Sequence, residues 1–153
     1  MQSSHRFGAT LVLLMALLQT GWAQQYASSA ERTLFAAVNR ERRAQGLPAL
    51  HWDEALATAA RLHAQRMAKE GSISHQLPGE PSLPSRVTKA GARFTSLAEN
   101  VDAAGTATLV HRNFTNSPPH RANILDRDMD SAGIGVAERG GQLFVVEDFS
   151  RAK

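Results

Sequence analysis

Two hydrophobic periods divide the chain. Up to about residue 117 apolar positions recur at helical spacing, and from Ala132 they alternate with period two. Ser28 or Ser29 is placed to cap a first helix that runs to about Gln45, with Gly46 just past its end. Leu34, Phe35 and Val38 form its apolar stripe. The polar run from Asn39 to Gln45 predicts that its last turns face water or the rim of the domain. Leu47-Pro48-Ala49-Leu50 reads as a short apolar link, since proline forbids helix continuation there. Asp53 caps a second helix ending near Glu70, with Leu56, Ala60, His63 and Met67 on one face and Gly71 behind it. Residues 76–85, rich in proline, glycine and serine, read as a loop. Ser85 to Ala90 reads as a short third helix stopped by Gly91, and Phe94 to Val101 as an extended or irregular stretch. Thr106 begins a further helix with Leu109, Val110 and Phe114 inward, ending before Pro118.

Ala132, Ile134 and Val136 then alternate with Gly133 and Gly135, which predicts a strand whose other face is bare of side chains. A bared face lets a helix or a ligand come close to the backbone. Arg139-Gly140-Gly141 is a turn, and Gln142 to Phe149 supplies the second strand of an antiparallel hairpin. On that strand Glu147 shares a face with Leu143, Val145 and Phe149, while Asp148 shares the other with Phe144 and Val146. One acid must therefore point into an apolar layer or a cleft, and is expected to carry a raised pKa or an arginine partner. Helices first and a terminal hairpin last argue for an α+β domain, with helices covering a small antiparallel sheet. A third strand would come from residues 93–101, because two strands alone make a marginal sheet.

The amino terminus does not fit this pattern. His5 and Arg6 precede an apolar run from Ala9 to Leu18, and Gly21-Trp22-Ala23 supplies small residues at a cleavage site. The run is too short for a comfortable membrane span. Residues 1–23 are expected to be a signal peptide and 24–30 a short lead-in. A single domain over 31–151 follows, exported to the periplasm or the extracellular space and with no transmembrane span in the mature chain. Cysteine is absent from the 153 residues, which removes disulfides, a thiol nucleophile and thiolate metal ligands. The net charge of +3 is built from interspersed charges, the densest being Arg40 with Arg42-Arg43 on a helix. A solvated helical face accounts for these arginines, and no nucleic-acid partner is expected.

Three short pieces carry the candidate chemistry: Ile73-Ser74-His75, Ala98-Glu99-Asn100-Val101, and Asn116 to Leu125 with Pro118-Pro119-His120 inside it. Proline suits the first positions of a helical turn, where a missing N–H costs nothing, so Pro119 would start a turn and fix His120 in it. Two imidazoles and a carboxylate gathered in one pocket would suit zinc with an open position, or an acid–base pair. They would equally suit a hydrogen-bonded tie between loops. Spacing alone leaves these three open. His63, on the apolar stripe of the second helix, reads as a hydrogen-bonded core histidine or a border of the same pocket, and Glu147 as a second border. No serine or cysteine stands in a recognisable nucleophile motif.

In these pieces the chain resembles bacterial members of the CAP superfamily, the SCP-like extracellular domain of cysteine-rich secretory proteins, insect venom antigens and plant pathogenesis-related proteins of group 1. The marks run in order from Val38-Asn39-Arg40-Glu41-Arg42 through Gly46-Leu47-Pro48-Ala49-Leu50 with Trp52, and Ala60 to Met67. They continue with Ser74-His75, Ala98-Glu99-Asn100, Ser117 to Leu125 and Gly133-Ile134-Gly135-Val136. The resemblance implies an α–β–α sandwich with a three- or four-stranded antiparallel sheet between helical layers. It also implies a cleft lined by His75, Glu99 and His120, the same three residues being its candidate metal ligands. The family's second cleft glutamate has no counterpart, since Phe114-Thr115-Asn116-Ser117 stands in its place. Asn100, Arg121 and Asn123 are the supporting residues, with Arg121 expected to pair with Glu99 or an acid at 126–130. The function implied is a secreted binding module whose partner is a lipid or a cell-envelope component, a lipid groove being bordered by Leu77, Leu83 and Phe94. A metal-assisted hydrolase and a structural domain without ligand are the alternatives.

Overall fold

The computed structural model describes residues 27–153, and the leader expected over 1–23 lies outside them. Helix α1 (Ser29–Ala44) opens with a capping box. Ser28 Oγ accepts the Glu31 N–H at 3.2 Å, and Glu31 Oε2 accepts the Ser28 N–H at 2.8 Å. The helix therefore begins inside the lead-in expected over 24–30. Its polar last turns face water at Arg40, Arg43 and Gln45 as anticipated, but Asn39 and Arg42 are buried. Asn39 exchanges two hydrogen bonds with the backbone of Leu50. Arg42 donates to the carbonyls of Pro48, Ile124, Asp126 and Met129. Polar side chains mark a buried face here because each meets backbone that has no ladder partner of its own.

The link after α1 runs into a two-residue strand, β1 (His51–Trp52). Helix α2 (Glu54–Glu70) is capped by Asp53, whose Oδ1 accepts the N–H of Ala55 and Leu56, and it stops at Gly71 with φ +68°. Helix α3 (Leu83–Lys89) starts two residues ahead of Ser85. Strand β2 (Phe94–Ala104) turns the ambiguous stretch into a full strand. Helix α4 (Ala107–Asn116) is capped by Thr106, and helix α5 (Pro118–Ile124) by the backbone turn at Ser117. Pro118, rather than Pro119, takes the first helical position, and His120 sits in the first turn as expected. Strands β3 (Ser131–Arg139) and β4 (Gln142–Ala152) form the terminal hairpin.

The four strands lie in the order β1-β3-β4-β2. β3 and β2 both pair antiparallel with β4, while β1 joins β3 in parallel through His51↔Ser131 and Trp52↔Ala132. The sheet is therefore mixed, and the expectation of a purely antiparallel one is corrected by β1. Two residues carry no alternation to read, and their partners lie far along the chain.

Helices cover both faces, giving an α+β sandwich. Gly133 and Gly135 face α2 so closely that a Cβ at either would stand 2.1 Å from the backbone nitrogen of Ala57 or Arg61. The bared strand face thus receives a helix. On this side Val101, Phe144 and Val146 pack with Ala60, Ala64 and Met67. Val87 of α3 packs with Leu56 and Ala59. On the other face Ile134, Val145 and Phe149 meet Leu34 and Val38 of α1, Val110 and Phe114 of α4, and Ile124 of α5. Each such large side chain removed from water contributes about 1.5–3 kcal/mol. The register puts Glu99 opposite Asp148 on the α2–α3 face, and Asn100 opposite Glu147 on the face covered by α1, α4 and α5.

Candidate functional site

β2 is an edge strand, and the three candidate pieces meet along it. His75 reaches Glu99 from the loop after α2, with Nδ1 at 2.9 Å from Glu99 Oε1. Arg86 of α3 donates to the other carboxylate oxygen, and also to the carbonyls of His75 at 3.0 Å and Pro81 at 3.2 Å. Both oxygens of the buried Glu99 are thereby committed. With a carboxylate as acceptor, His75 Nδ1 carries the hydrogen, so Nε2 of a side chain 62% exposed is the nitrogen presented to solvent. Beside this pair lies Asp148, fully buried and with neither oxygen hydrogen-bonded. Burial, then the charge of Glu99, pushes its carboxyl well above the ordinary range against the pull of Arg86.

His120 comes from the opposite layer. Its ring lies 5.2 Å from that of Phe114, tilted by 58°. Burial, and then the proximity of His75, lowers its pKa, with Asp102 opposing, and it is neutral at pH 7. Helix α5 is tied to the sheet edge by two asparagines. Asn100 Nδ2 donates to the His120 carbonyl at 3.1 Å and to Glu147 Oε2 at 3.2 Å. Asn123 Nδ2 donates to Asn100 Oδ1 at 2.8 Å and to the Glu99 carbonyl at 3.3 Å. The site is thus one acid and one amide, adjacent on β2, each pointing to a different layer and each holding a histidine piece against the edge.

Three expected residues stand elsewhere. His63 is the hydrogen-bonded core histidine of its first reading rather than a border of the cleft: it is fully buried, with Nδ1 at 2.8 Å from Glu80 Oε1 and Nε2 at 2.8 Å from the Ser74 carbonyl. It pins the loop that carries His75. Burial pulls the Glu80 carboxyl up, but the Leu77 N–H, His63 and Arg86 together outweigh it and hold its pKa below the ordinary value. Arg121 forms no ion pair among the described residues. It faces a shallow depression with Thr115, Pro118 and Leu125, and Glu99 takes Arg86 instead. Glu147 is sealed beneath α5, where burial, opposed by the Asn100 hydrogen bond, pushes its pKa up to about 8. Its Oε1 has no partner.

Sequence reasoning passed over Arg86 and Glu80, and marked Asp148 only as one of two acids that would meet an apolar layer or a cleft. A signal for the first was present, since Leu83, Arg86 and Val87 share one face of a short helix and put a cation on an apolar stripe.

Two chemical expectations meet the geometry here. Of the two roles open to Glu99, third metal ligand or acceptor that orients an imidazole, its hydrogen bonds to His75 and Arg86 fit the second. Among the described residues no group of three His, Asp or Glu side chains is arranged to hold a metal ion. The residues expected to border a lipid groove, Leu77, Leu83 and Phe94, pack against two core clusters. Leu77 is buried in the core with Val101 and Phe144, and the other two pack onto the cluster of Leu56 and Val87.

Comparison with known proteins gives relatives of the same fold. YkwD of Bacillus subtilis (strain 168) is 33% identical over 115 residues, covering 74% of this chain and 44% of the relative. An extracellular protein containing a SCP domain from Bacillus anthracis str. Ames superposes with a TM-score of 0.75 at 27% identity, covering 80% of this chain and 40% of that one. An outer surface protein from Borrelia burgdorferi gives 0.74 at 21% identity, covering 81% and 93%. The chain spans less than half the length of the two Bacillus proteins. The model of the Cysteine-rich secretory protein family (CAP) matches residues 35–149, from the stripe of α1 to Phe149 in β4, and this chain, cysteine-free as it is, belongs to that family.

Proposed function

We propose that the chain is an exported binding module whose ligand is met at the β2 edge by the imidazoles of His75 and His120. The observation that carries this reading is the commitment of Glu99. With one oxygen on His75 and the other on Arg86, the carboxylate orients an imidazole and is not available as a general base. Among the described residues no hydroxyl hydrogen-bonds to either imidazole; the nearby Ser74 hydroxyl is spent on the carbonyl of Gln76. A hydrolase with a hydroxyl nucleophile would need such a group, so that route is not built here, and a metal-assisted one would depend on the zinc binding tested below.

The ligand chemistry that the two rings suit is a divalent cation of zinc type, or a group on an envelope component that accepts or donates at neutral imidazole. Fixing Nδ1 on a carboxylate is how a ligating histidine is oriented, and His75 Nε2 is then the coordinating atom. Two imidazoles without a third protein ligand make an exchangeable site of modest affinity. Calorimetric titration of the protein with zinc near pH 7.5 is expected to show one weak equivalent, lost in His75→Ala and in His120→Ala. It should weaken in acid, since protonated imidazole does not coordinate. Undiminished zinc binding by the double variant, or none by the wild type, would overturn the metal part of this reading.

Export rests on the amino-terminal pattern and on the company the chain keeps. One relative is named as extracellular and another as an outer surface protein, and among the described residues no helix is long and apolar enough to cross a membrane. Amino-terminal sequencing of the protein recovered from envelope or medium should begin at Gln24. An intact Met1 in the membrane fraction would show an anchor instead.

A further inference from the structure

The fully buried imidazole of His63 meets an acceptor at each ring nitrogen. Nδ1 lies 2.8 Å from Glu80 Oε1, and Nε2 lies 2.8 Å from the Ser74 carbonyl oxygen. A carbonyl oxygen only accepts, and so does an ionised carboxylate, whereas a neutral imidazole has one N–H to give. Two acceptors at hydrogen-bond distance therefore call for two ring protons, unless Glu80 supplies one as a neutral acid. Its surroundings oppose that. Glu80 Oε2 accepts the Leu77 N–H at 3.0 Å and stands 3.9 Å from Arg86 Nη1. Burial would raise this carboxyl, yet the Leu77 N–H, His63 and Arg86 outweigh burial and hold it below the ordinary range.

The other charged and titratable groups around α2 are engaged elsewhere. Arg86 of α3 and His75 of the loop are both bound to Glu99 of β2, which lies opposite Asp148 of β4. β3 turns Gly133 and Gly135 to the helix, and its Arg139 donates to the carbonyls of Ala68 and Lys69. On α2 itself Arg61 pairs with Glu31 and Glu54, and Arg66 donates to the Pro78 carbonyl. Among the described residues none of these hydrogen-bonds to the His63 ring. Its two bonds are unequal. The one to Glu80 joins opposite charges, and such bonds are roughly twice as strong as neutral ones; the one to Ser74 has a neutral acceptor. A ring that gives up one proton therefore gives up the Nε2 proton. The Ser74 carbonyl then faces an imidazole lone pair with no donor, and a buried acceptor in that position favours moving toward water.

We propose that His63 is a buried imidazolium paired with the Glu80 carboxylate, and that loss of its Nε2 proton releases the Ser74 carbonyl and loosens the loop that presents His75. As a regulation of the edge cleft this rests on the reading of His75 as one of the two imidazoles that meet the ligand; the charge on His63 does not. His63 is a positioning residue, acting on the cleft through the Ser74–His75 backbone. His75 stays tied through Nδ1 to Glu99 and through its carbonyl to Arg86, so the change is confined to the segment around Ser74, His75 and Gln76. Cation binding at the cleft is then limited on the acid side by protonation of its imidazoles and on the alkaline side by release of the loop.

Imidazole nitrogen NMR of the isotope-labelled, metal-free protein tests the charge directly. Near pH 7 both ring nitrogens of His63 are expected to carry hydrogen. As pH is raised, the Nε2 proton should be lost at a midpoint shared by the backbone amide shifts of His75 and Gln76. Glu80→Gln is the discriminating variant. Its amide can donate to Nδ1 while its oxygen keeps the Leu77 N–H, so a neutral ring retains the Ser74 bond. In that protein His63 should hold one proton near pH 7, and the alkaline movement of the His75 and Gln76 amides should disappear. Zinc titrations of both proteins at rising pH should show the wild type losing affinity relative to the variant. Failure of both to bind zinc would count against the cleft reading, and the metal-free spectra would still decide this one. An unprotonated ring nitrogen in wild-type His63 near pH 7, or a protonated Glu80 in the carboxyl carbon spectrum, would overturn the proposal. So would loop amides that move at a different midpoint from the ring, or a ring that keeps both protons until the fold itself is lost.

Discussion

Glu147 is held in a state far from its state in water. The carboxyl is fully buried on the face of α1, α4 and α5, with Asn100 as the hydrogen-bonded neighbour across the ladder and one oxygen unpartnered. Burial raises its pKa from the ordinary 4.5 to about 8. In the unfolded chain the proton leaves near the lower value, in the native chain near the upper. Between them the native state holds a proton that the unfolded state lacks, so stability falls as pH rises across that window and levels off above it. On the other face of the sheet Asp148, raised by burial and by Glu99 beside it, acts with the same sign. Glu147→Gln keeps the shape and removes the ionisable group. At pH 8 it should be more stable than the wild type, on the order of a few kcal/mol, and the difference should shrink to less than about 1 kcal/mol at pH 5. Urea unfolding at pH 5, 6.5 and 8 measures this, and parallel curves for the two proteins would place the titration on another group.

At the scale of elements the contact that sets the layer spacing is α2 against β3. The helix backbone lies where side chains of residues 133 and 135 would otherwise stand, so van der Waals contact is made by the main chain itself. Gly135→Ala puts a carbon 2.1 Å from the Arg61 backbone nitrogen and 2.2 Å from the Ala60 carbonyl carbon, atoms that cannot turn aside as a side chain does. It is expected to cost on the order of 3 kcal/mol or more. Gly105→Ala, which meets nothing nearer than the Gly141 carbonyl at 4.0 Å, should stay within about 0.5 kcal/mol; thermal unfolding of both separates packing from any general effect of losing glycine. This contact was legible in the sequence, because Gly133 and Gly135 alternate with apolar residues and bare one face. Helix starts were legible for a similar local reason, Ser28, Asp53 and Thr106 each standing just before an apolar stripe. β1 was not, since a two-residue strand has no period and is defined by Ser131 and Ala132. Nor was the burial of Asn39 and Arg42, because a polar run on a helix reads as solvated until the carbonyls it satisfies are known.

Taken whole, the molecule is two helical layers divided by a sheet, and the candidate cleft forms where both layers reach the sheet's free edge. His75 is delivered by the α2–α3 layer through Glu99, and His120 by the other layer through Asn100. The sequence shows the histidines and the Glu99-Asn100 pair, but alternation alone does not tell which layer each side chain joins; the cross-strand register with Asp148 and Glu147 decides it. The partners of Arg86 and Glu80 stay hidden for the same reason, being chosen by packing over long separations. Arg42 exposes the division between the layers. Only 1% exposed, it joins the end of α1 to the carbonyls of Ile124, Asp126 and Met129, just beyond α5. Arg42→Met would fill much of the same space and leave those carbonyls, with that of Pro48, without a donor, at a cost on the order of 3 kcal/mol or more. The loss falls on the layer that positions His120 and spares the Glu99–Arg86 anchor of His75. In the folded variant the imidazole NMR signals of His120 should therefore shift or broaden, while those of His75 keep their wild-type positions. Equal disturbance of both rings would show the layers to be one mechanical unit, and the cleft would then have no independent halves.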